Sequence, residues 1–360
     1  MSVFLYYILP FIIVLGILIF FHELGHFLVA KYFGVKVLKF SLGFGPKLVW
    51  RTVGETEYSI RYIPLGGYVK MLGESIDDDG EPLSPEDEKK SFTSQHVLKR
   101  IAIAGAGPLF NLLLALLIFC VFYMFAGNHV MTAEIGQITP DSPAYQAGLL
   151  KGDVIVSIDG KPVERWSEIK DAVKDSAGKS LDITVKRGDL SPTFTVVPET
   201  SVVKNIFGED IKSALIGIVA SGEFRSIELG PLDAIKEGFR KTWEIIELTC
   251  LTVVKLFQRV IPLKTVGGPI LIGQMTGQLA KESLTYLIPF MAVISINLGI
   301  LNLLPVPILD GGLIVFLLIE LIIGKPLSIK KREVAQKIGL FLLIMLMVVV
   351  MYNDVARFFE

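Results

Sequence analysis

Long stretches without charged side chains recur along the chain and predict membrane-spanning helices. They lie at residues 3–30, 101–127, 283–309 and 338–353. A run of about 18 apolar residues makes a transmembrane helix the default interpretation. The first stretch contains a single formally charged residue, Glu23, and the third contains Pro305 and Pro307, which should kink or end a helix. We therefore predict a polytopic α-helical membrane protein with about four transmembrane helices.

The amino-terminal stretch could instead be a cleaved signal peptide. Such a peptide begins with a basic region and ends at a cleavage site of small residues, and residues 1–31 show neither feature. We interpret this segment as a helix that stays in the mature protein.

The short loop after the third predicted span is strongly basic. Its basic residues are Lys325, Lys330, Lys331, Arg332 and Lys337. Because cytoplasmic loops carry an excess of lysine and arginine, this loop and residues 32–100 should face the cytoplasm. Residues 128–282 should then lie on the opposite side of the membrane.

The segments between the spans have different patterns. Residues 35–71 alternate polar and apolar positions around glycine turns, which predicts short strands rather than a helix. Residues 74–90 are acidic and predict a solvated linker, whereas residues 231–262 favour an amphipathic helix on the membrane surface. The predicted segments of the chain are 1–31, 32–100, 101–127, 128–200, 201–282, 283–323, 324–337 and 338–354.

Composition narrows the class of protein. Hydrophobic residues make up 52% of the chain and charged residues 20%, which excludes a disordered or purely soluble protein. The formal net charge of -1 offers no global attraction to nucleic acid, so no nucleic-acid partner is expected. Cys120 and Cys250 are too few for a disulfide framework or a cysteine-based zinc site. A bound metal would need other ligands.

The first span carries the motif HELGH at residues 22–26. Residues four apart lie on one face of a helix, so His22 and His26 can bind one zinc ion, while Glu23 can take a proton from the attacking water. A charged group at the centre of a bilayer costs about 2.5–3.5 kcal/mol on translocon-type scales, so this cluster requires a compensating function. The alternative is a polar cluster satisfied by its own hydrogen bonds.

Tetrahedral zinc with two histidines and a water needs one more protein ligand. The candidate is Asp310 in NLLPVPILDGG, residues 302–312, because the two prolines break the helix and let the carboxylate turn toward the first span. Asp310 could equally be a helix N-cap before the two glycines, and the residues alone leave both interpretations open.

A soluble α+β domain is predicted over residues 128–200, between the second and third spans. The expected strands are 134–138, 154–158, 181–185 and 193–197, and the expected helix is 166–177. The runs DSPA, AGL, KGDVI and IDG, between residues 141 and 160, resemble bacterial PDZ domains. PDZ domains bind extended peptides or C-termini beside an exposed strand, so such a partner is expected here. A β-rich spacer is the alternative.

The pairing of HELGH with NLLPVPILDGG resembles the site-2 protease family of intramembrane zinc metalloproteases. With an inserted PDZ domain, the chain is similar to the bacterial RseP type, the regulator of sigma-E protease. The likeness covers nearly the whole chain and includes GGYVKM at 66–71, GAGPLFN at 105–111 and SINLG at 295–299. The best-known RseP-type enzymes carry two tandem PDZ domains, whereas this chain has room for one, so regulation by two domains does not carry over.

This resemblance implies residue roles that spacing alone does not establish. It implies zinc as the cofactor, His22, His26 and Asp310 as its ligands, and Glu23 as the catalytic base. It implies that the predicted strands of residues 35–71 form a cytoplasmic, membrane-associated β-loop. The implied substrate-binding residues are Gly67, Tyr68, Val69 and Lys70 in this β-loop, with Asn297 and Asn302 near the active site. Interhelical hydrogen bonding is the alternative for the two asparagines, and for Asn111 both packing and catalysis stay open.

The resemblance also implies a biological setting. The substrate would be a pre-trimmed single-span transmembrane protein of the anti-sigma-factor type, with remnant signal peptides as a second class. The enzyme would lie in a bacterial inner membrane and contact the lipid bilayer, with its active site toward the cytoplasm and its PDZ domain in the periplasm.

Two other classes of function fit parts of the pattern. A metal-ion transporter could use intramembrane histidine and aspartate, but it would not need Glu23 beside the first histidine. A non-catalytic scaffold that uses only the PDZ domain would tolerate any residue at position 23. Zinc content, measured together with the activity of Glu23→Gln, separates the three classes.

Overall fold

The computed structural model describes residues 4–74, 84–357 and 359. The chain forms two compact units, one of Met1–Phe122 with Ile235–Glu360 and the other of Tyr123–Ala234. Residues 75–83 of the predicted acidic linker lie outside the described residues, and its remainder includes a short helix at Pro85–Lys89.

Helices dominate the first unit. The α-helices that the described residues form in the two units are α1 (Leu9–Tyr32), α2 (Pro85–Lys89), α3 (Val97–Ala126), α4 (Pro143–Gln146), α5 (Trp166–Val173), α6 (Pro231–Phe257), α7 (Pro269–Glu282), α8 (Leu284–Asn302), α9 (Asp310–Ile323) and α10 (Ile329–Ala356). Among the described residues, four helical segments are long and apolar enough to cross a membrane: Phe4–Tyr32, Val97–Ala126, Leu284–Asn302 and Lys330–Ala356. The length and composition of these helices confirm the prediction of four segments that can span a membrane.

The third predicted span consists of two helices. The predicted region 283–323 is interrupted between α8 and α9, where Pro305 and Pro307 cannot continue a helix because proline lacks the backbone N–H and clashes with the preceding turn. The interrupted segment folds back closely on α9, since a Cβ on Gly312 would collide with the Val306 carbonyl. Asp310 is therefore held at the first turn of α9.

The predicted basic loop at 324–337 is shorter in the structure. α10 begins at Ile329, so Lys330, Lys331 and Lys337 lie on the helix instead of in a loop. The chain reverses at Gly324, whose φ of 78° is accessible to glycine at little cost.

The predicted β-loop is present as β1 (Val37–Val53) and β2 (Thr56–Met71). Residues 39–42 of β1 pair with 67–70 of β2 on one side and with 57–60 on the other. Within the described part of the chain, no strand pairs with the outer side of residues 67–71. This segment, which we call the edge strand, is therefore an open sheet edge.

The second unit is a small β-rich domain. Its strands are β3 (Asn128–Met131), β4 (Ile135–Ile138), β5 (Val154–Ile158), β6 (Lys161–Pro162), β7 (Leu181–Lys186), β8 (Thr193–Val196), β9 (Glu199–Lys204), β10 (Asp210–Leu215), β11 (Ile218–Ala220) and β12 (Phe224–Ile227). The central sheet has the order β6-β5-β7-β8, while β4 pairs with β11, β3 with β12 and β9 with β10. The four predicted strands correspond to β4, β5, β7 and β8, and the predicted helix is α5, which ends earlier, at Val173.

The predicted end of this domain at residue 200 is wrong. Ala214 and Ile216 lie in the same hydrophobic core as Ile155 and Ile183, and β11 pairs with β4. Since the chain must return to complete this core, the domain continues to Ala234.

The segment after this domain contains two helices, of which the sequence pattern predicted one. The predicted amphipathic helix at 231–262 is α6, which ends at Phe257. Thr249 of α6 donates a hydrogen bond to the Asn297 Oδ1 of α8 at 2.8 Å, so part of α6 packs on a spanning helix. The second helix, α7, was not predicted, and its amino-terminal N–H groups bind the Asp354 carboxylate of α10.

Candidate active site

Three potential metal ligands from two helices meet in the first unit. His22 and His26 lie one turn apart on α1, and Asp310 lies at the start of α9. The His22 Nε2 is 3.2 Å from one Asp310 oxygen, the His26 Nε2 is 3.6 Å from the other, and the two Nε2 atoms are 3.3 Å apart. The three side chains therefore aim their ligand atoms at a common point.

These distances fit a tetrahedral zinc site. Ligand atoms about 2.0–2.1 Å from zinc stand roughly 3.3–3.4 Å from one another in a tetrahedron. The Nε2–Nε2 separation of 3.3 Å and the separation of 3.2 Å between His22 and one Asp310 oxygen match those edges, while the separation of 3.6 Å joins His26 to the other oxygen of the same carboxylate. Two imidazoles and one carboxylate also leave the fourth position open, as catalytic zinc sites require.

Both imidazoles are oriented from behind by polar groups of α3. The His26 Nδ1–H donates to the Ile103 carbonyl at 2.8 Å, which leaves Nε2 free to bind a metal. The His22 Nδ1 lies 3.2 Å from the side-chain amide of Asn111, a residue with no exposed surface. The Asn111 Oδ1 is buried without a partner, so a half-turn of the amide would place this oxygen as the acceptor for the His22 Nδ1–H.

Glycines allow α3 to approach α1 at the level of the histidines. A Cβ on Gly107 would lie against the His26 Nε2, and only 2.8 Å from the His22 Cε1. A Cβ on Gly25 would lie 2.8 Å from the Ala106 carbonyl carbon. Small residues at these positions are therefore a packing condition for the ligand arrangement.

Glu23 lies beside the ligands and is buried, with 9% of its surface exposed. Its side chain lines the same cavity as Val69, and its Cγ would be 3.0 Å from a Cβ on Gly67. Glu23 therefore lies between the ligand cluster and the edge strand. A cavity of about 190 Å³ opens there, lined by His22, Glu23, His26, Gly67, Tyr68, Val69, Met71, Glu74, Phe92, Ile103, Ala104, Asp310 and Leu313.

The structure brings only some of the predicted substrate-binding residues to this cavity. Gly67, Tyr68 and Val69 line it. Lys70, Asn297 and Asn302 are not among the described residues that do so. Asn302 is the last residue of α8, and the Asn297 amide oxygen already accepts the Thr249 hydroxyl hydrogen bond.

Two polar residues at this site have no assigned substrate or metal role from the sequence. Asn111 borders His22, and Glu74 lines the cavity while accepting a hydrogen bond from the Met71 N–H at 3.2 Å. Burial raises the pKa of the Glu74 carboxyl, and the Met71 N–H partly opposes that rise. Asn111 could have been identified as a polar amide within an uncharged span. Glu74 could not be distinguished from the other acidic residues of the segment that it begins.

The model of peptidase family M50 matches residues 10–346 of the chain. The chain belongs to this family, the site-2 proteases. It is 36% identical to "Putative zinc metalloprotease Atu1380" of Agrobacterium fabrum over 97% of this chain and 96% of that protein. It is 32% identical to "Zinc metalloprotease RasP" of Geobacillus kaustophilus over 98% of each chain.

These comparisons confirm the predicted family, a zinc metalloprotease activity and zinc as cofactor. Among solved structures, the PDZ domain of the SdrC-like protein Lmo2051 from Listeria monocytogenes matches 24% of this chain and 84% of its own, with 24% identity and a TM-score of 0.20. The chain is an M50 peptidase whose described residues include four helices long and apolar enough to cross a membrane.

Proposed function

We propose that this site-2 protease hydrolyses a peptide bond within the transmembrane segment of a single-span protein already trimmed outside the membrane. The observation that carries the proposal is the meeting, at one cavity, of three zinc-compatible ligands, a buried carboxylate and an open strand edge. α1 and α3, which surround this cavity, are apolar enough to span a bilayer. A substrate would therefore reach the site from within the membrane.

The catalytic roles follow from the position of each side chain. His22, His26 and Asp310 would hold zinc, whose bound form supplies a Lewis acid that acidifies water and stabilises negative charge on a carbonyl oxygen. Glu23 takes a proton from the attacking water and returns it to the leaving amine. Hydrogen bonds behind the rings hold both histidines with Nε2 toward the cavity.

The edge strand would hold the substrate in an extended form. A transmembrane helix uses its own backbone groups in hydrogen bonds, so its peptide carbonyls are shielded until the helix unwinds. Gly67 and Val69 offer backbone groups at the cavity that can replace those bonds by strand addition. Glycine at position 67 also leaves space beside Ile19 and Glu23 that a side chain would fill.

The biological setting completes the proposal. The substrate class is a single-span protein of the anti-sigma-factor type, with remnant signal peptides as the second class, in a bacterial inner membrane. Lys330, Lys331 and Arg332 lie in the first turn of α10 and support a cytoplasmic placement for that end of the helix. The second unit would be a periplasmic PDZ domain that binds a peptide or C-terminus and restricts access to the active site, a role that its PDZ-like sequence runs support.

The test uses the full chain in lipid nanodiscs with a pre-trimmed single-span substrate. Glu23→Gln should abolish cleavage and keep zinc, because it removes the base but none of the three ligands. The matched control is Glu55→Gln, which makes the same change at an exposed site between β1 and β2 and should leave cleavage intact. Substantial turnover by Glu23→Gln, or products cut outside the transmembrane segment, would contradict the proposal.

Asp310→Ala tests the ligand assignment separately. Two imidazoles alone should hold zinc poorly, so both zinc content and cleavage should fall. If this variant retains stoichiometric zinc, the third ligand lies elsewhere.

A further inference from the structure

Successive backbone N–H groups of the edge strand point alternately toward β1 and toward the cavity. The Leu72 N–H donates to the Lys36 carbonyl at 2.9 Å, so residue 72 faces the side of β1. The Met71 N–H points the other way and donates to the Glu74 Oε2 at 3.2 Å. Glu74 therefore takes a backbone donor on the open side of the sheet.

The same alternation identifies the other backbone groups on the open side. Neighbouring residues of a strand direct their hydrogen-bonding groups to opposite sides, so Gly67 and Val69 face the same side as Met71. Gly67 and Val69 line the cavity together with Glu23. The open edge thus runs from Gly67 past Val69, where the Glu23 carboxylate lines the same cavity, and ends at Met71, whose N–H is bound by Glu74.

We propose that Glu74 is a positioning residue that closes the Met71 end of the edge strand and thereby sets the register of the substrate. This inference rests on the strand addition proposed above. A pairing strand needs a donor at every second residue of the edge, and the donor at Met71 is occupied. The Glu74 oxygens also face any substrate carbonyl that approaches Met71, and two acceptors cannot bond each other.

This closure selects one peptide bond. A substrate strand that pairs along Gly67 must end its ladder at Val69, which lines the cavity with Glu23. The peptide bond at that point is the one presented for hydrolysis. Without the stop, a slip by two residues would keep every side chain on its original face, so nothing else in the ladder would resist it.

The experiment maps cleavage positions by the intact mass of both products, with zinc content measured on the same samples. Glu74→Ala should lower cleavage at the original bond roughly two- to tenfold, the worth of about one hydrogen bond, and should add products displaced by two residues. Glu74→Gln is the matched variant, because its amide oxygen can still accept the Met71 N–H. It should cut at the original bond only.

Several results would overturn the inference. If Glu74→Ala cuts only the original bond, and at the parent rate, then Glu74 does not set the register. The proposed intramembrane cleavage would still stand. Loss of zinc in both variants would make Glu74 a structural part of the metal site. If Glu74→Gln also gave displaced products, the role of Glu74 as acceptor of the Met71 N–H would be excluded. Failure of the parent to cut any transmembrane segment would instead refute the proposed function.

A proline scan of the substrate gives a second test that needs no enzyme variant. Proline removes a backbone donor, so it should block cleavage where the substrate pairs with the edge near Gly67. On the Met71 side, beyond the residues that flank the scissile bond, proline should be tolerated because no ladder forms there. Equal sensitivity on both sides would overturn the inference.

Discussion

Gly107→Ala should disable the metal site through a single methyl group. The added Cβ would lie against the His26 Nε2, 2.7 Å from the His26 Cε1 and 2.8 Å from the His22 Cε1. Non-bonded carbon atoms are most stable about 3.5–4.0 Å apart, so both rings would have to retreat by roughly 0.7–1.3 Å. Zinc–nitrogen distances tolerate only about ±0.2 Å, so the rings cannot retreat and still bind well.

The expected magnitude follows from this displacement. Disturbing groups that merely orient a ligand typically costs 10–100-fold in metal affinity, and moving two ligands should cost at least about that much. Zinc affinity would be measured by competition with a chelator of known affinity in nanodiscs, and cleavage on the same samples.

Gly105→Ala is the matched control on the same helix. Its Cβ would meet only the Ile314 Cδ1, at an ordinary 3.8 Å. Both substitutions replace glycine by a better helix former, worth about 0.5–1 kcal/mol, so helix stability does not separate them. If Gly107→Ala binds zinc as tightly as Gly105→Ala, the close approach of α3 to the histidines does not control the metal site.

Two further predictions concern other buried polar contacts. Asn111→Leu should lower zinc affinity about 10–100-fold, because His22 loses the amide that orients it. Asn111→Asp is the control, since it keeps an acceptor. If chelator competition finds the zinc affinity of the leucine variant unchanged, Asn111 does not orient His22. In the second unit, burial alone would raise the pKa of Asp153, but its hydrogen bonds with Arg187 hold that pKa below its usual value. The stability that Asp153 contributes is therefore present above about pH 4 and should be lost as the pH falls through the lowered pKa. Asp153→Asn should increase hydrogen exchange in residues 150–158 of the full chain at neutral pH and remove this acid dependence; unchanged exchange at pH 7 would count against it.

The sequence by itself determined the local features of this protein. Uncharged stretches predicted the four spans because desolvation in a bilayer acts on every residue of a helix, whatever its neighbours. The i, i+4 spacing of His22 and His26 placed both rings on one helix face because helix geometry repeats over that distance. Alternation and turn residues predicted β5 and β7 for the same local reason.

Only the tertiary structure decided which distant residues meet. Asp310 as an N-cap and Asp310 facing His22 are equally compatible with its neighbours in sequence, and the 3.2 Å separation arises from packing between α1 and α9. Asn297 resembled a substrate-binding residue, yet its amide oxygen accepts a hydrogen bond from Thr249. An amide binds any suitable partner within reach, so its sequence context does not say which one.

The boundary of the second unit and the role of the edge strand were decided in the same way. Ala214 and Ile216 have no local signal that joins them to a core begun at Ile135, and only the return of β11 to β4 does so. Glu74 looked like the start of a solvated acidic linker, yet a turn after Met71 brings it back to the cavity. Strand edges and buried carboxylates are created by which surfaces the fold leaves uncovered, and a linear pattern does not contain that information.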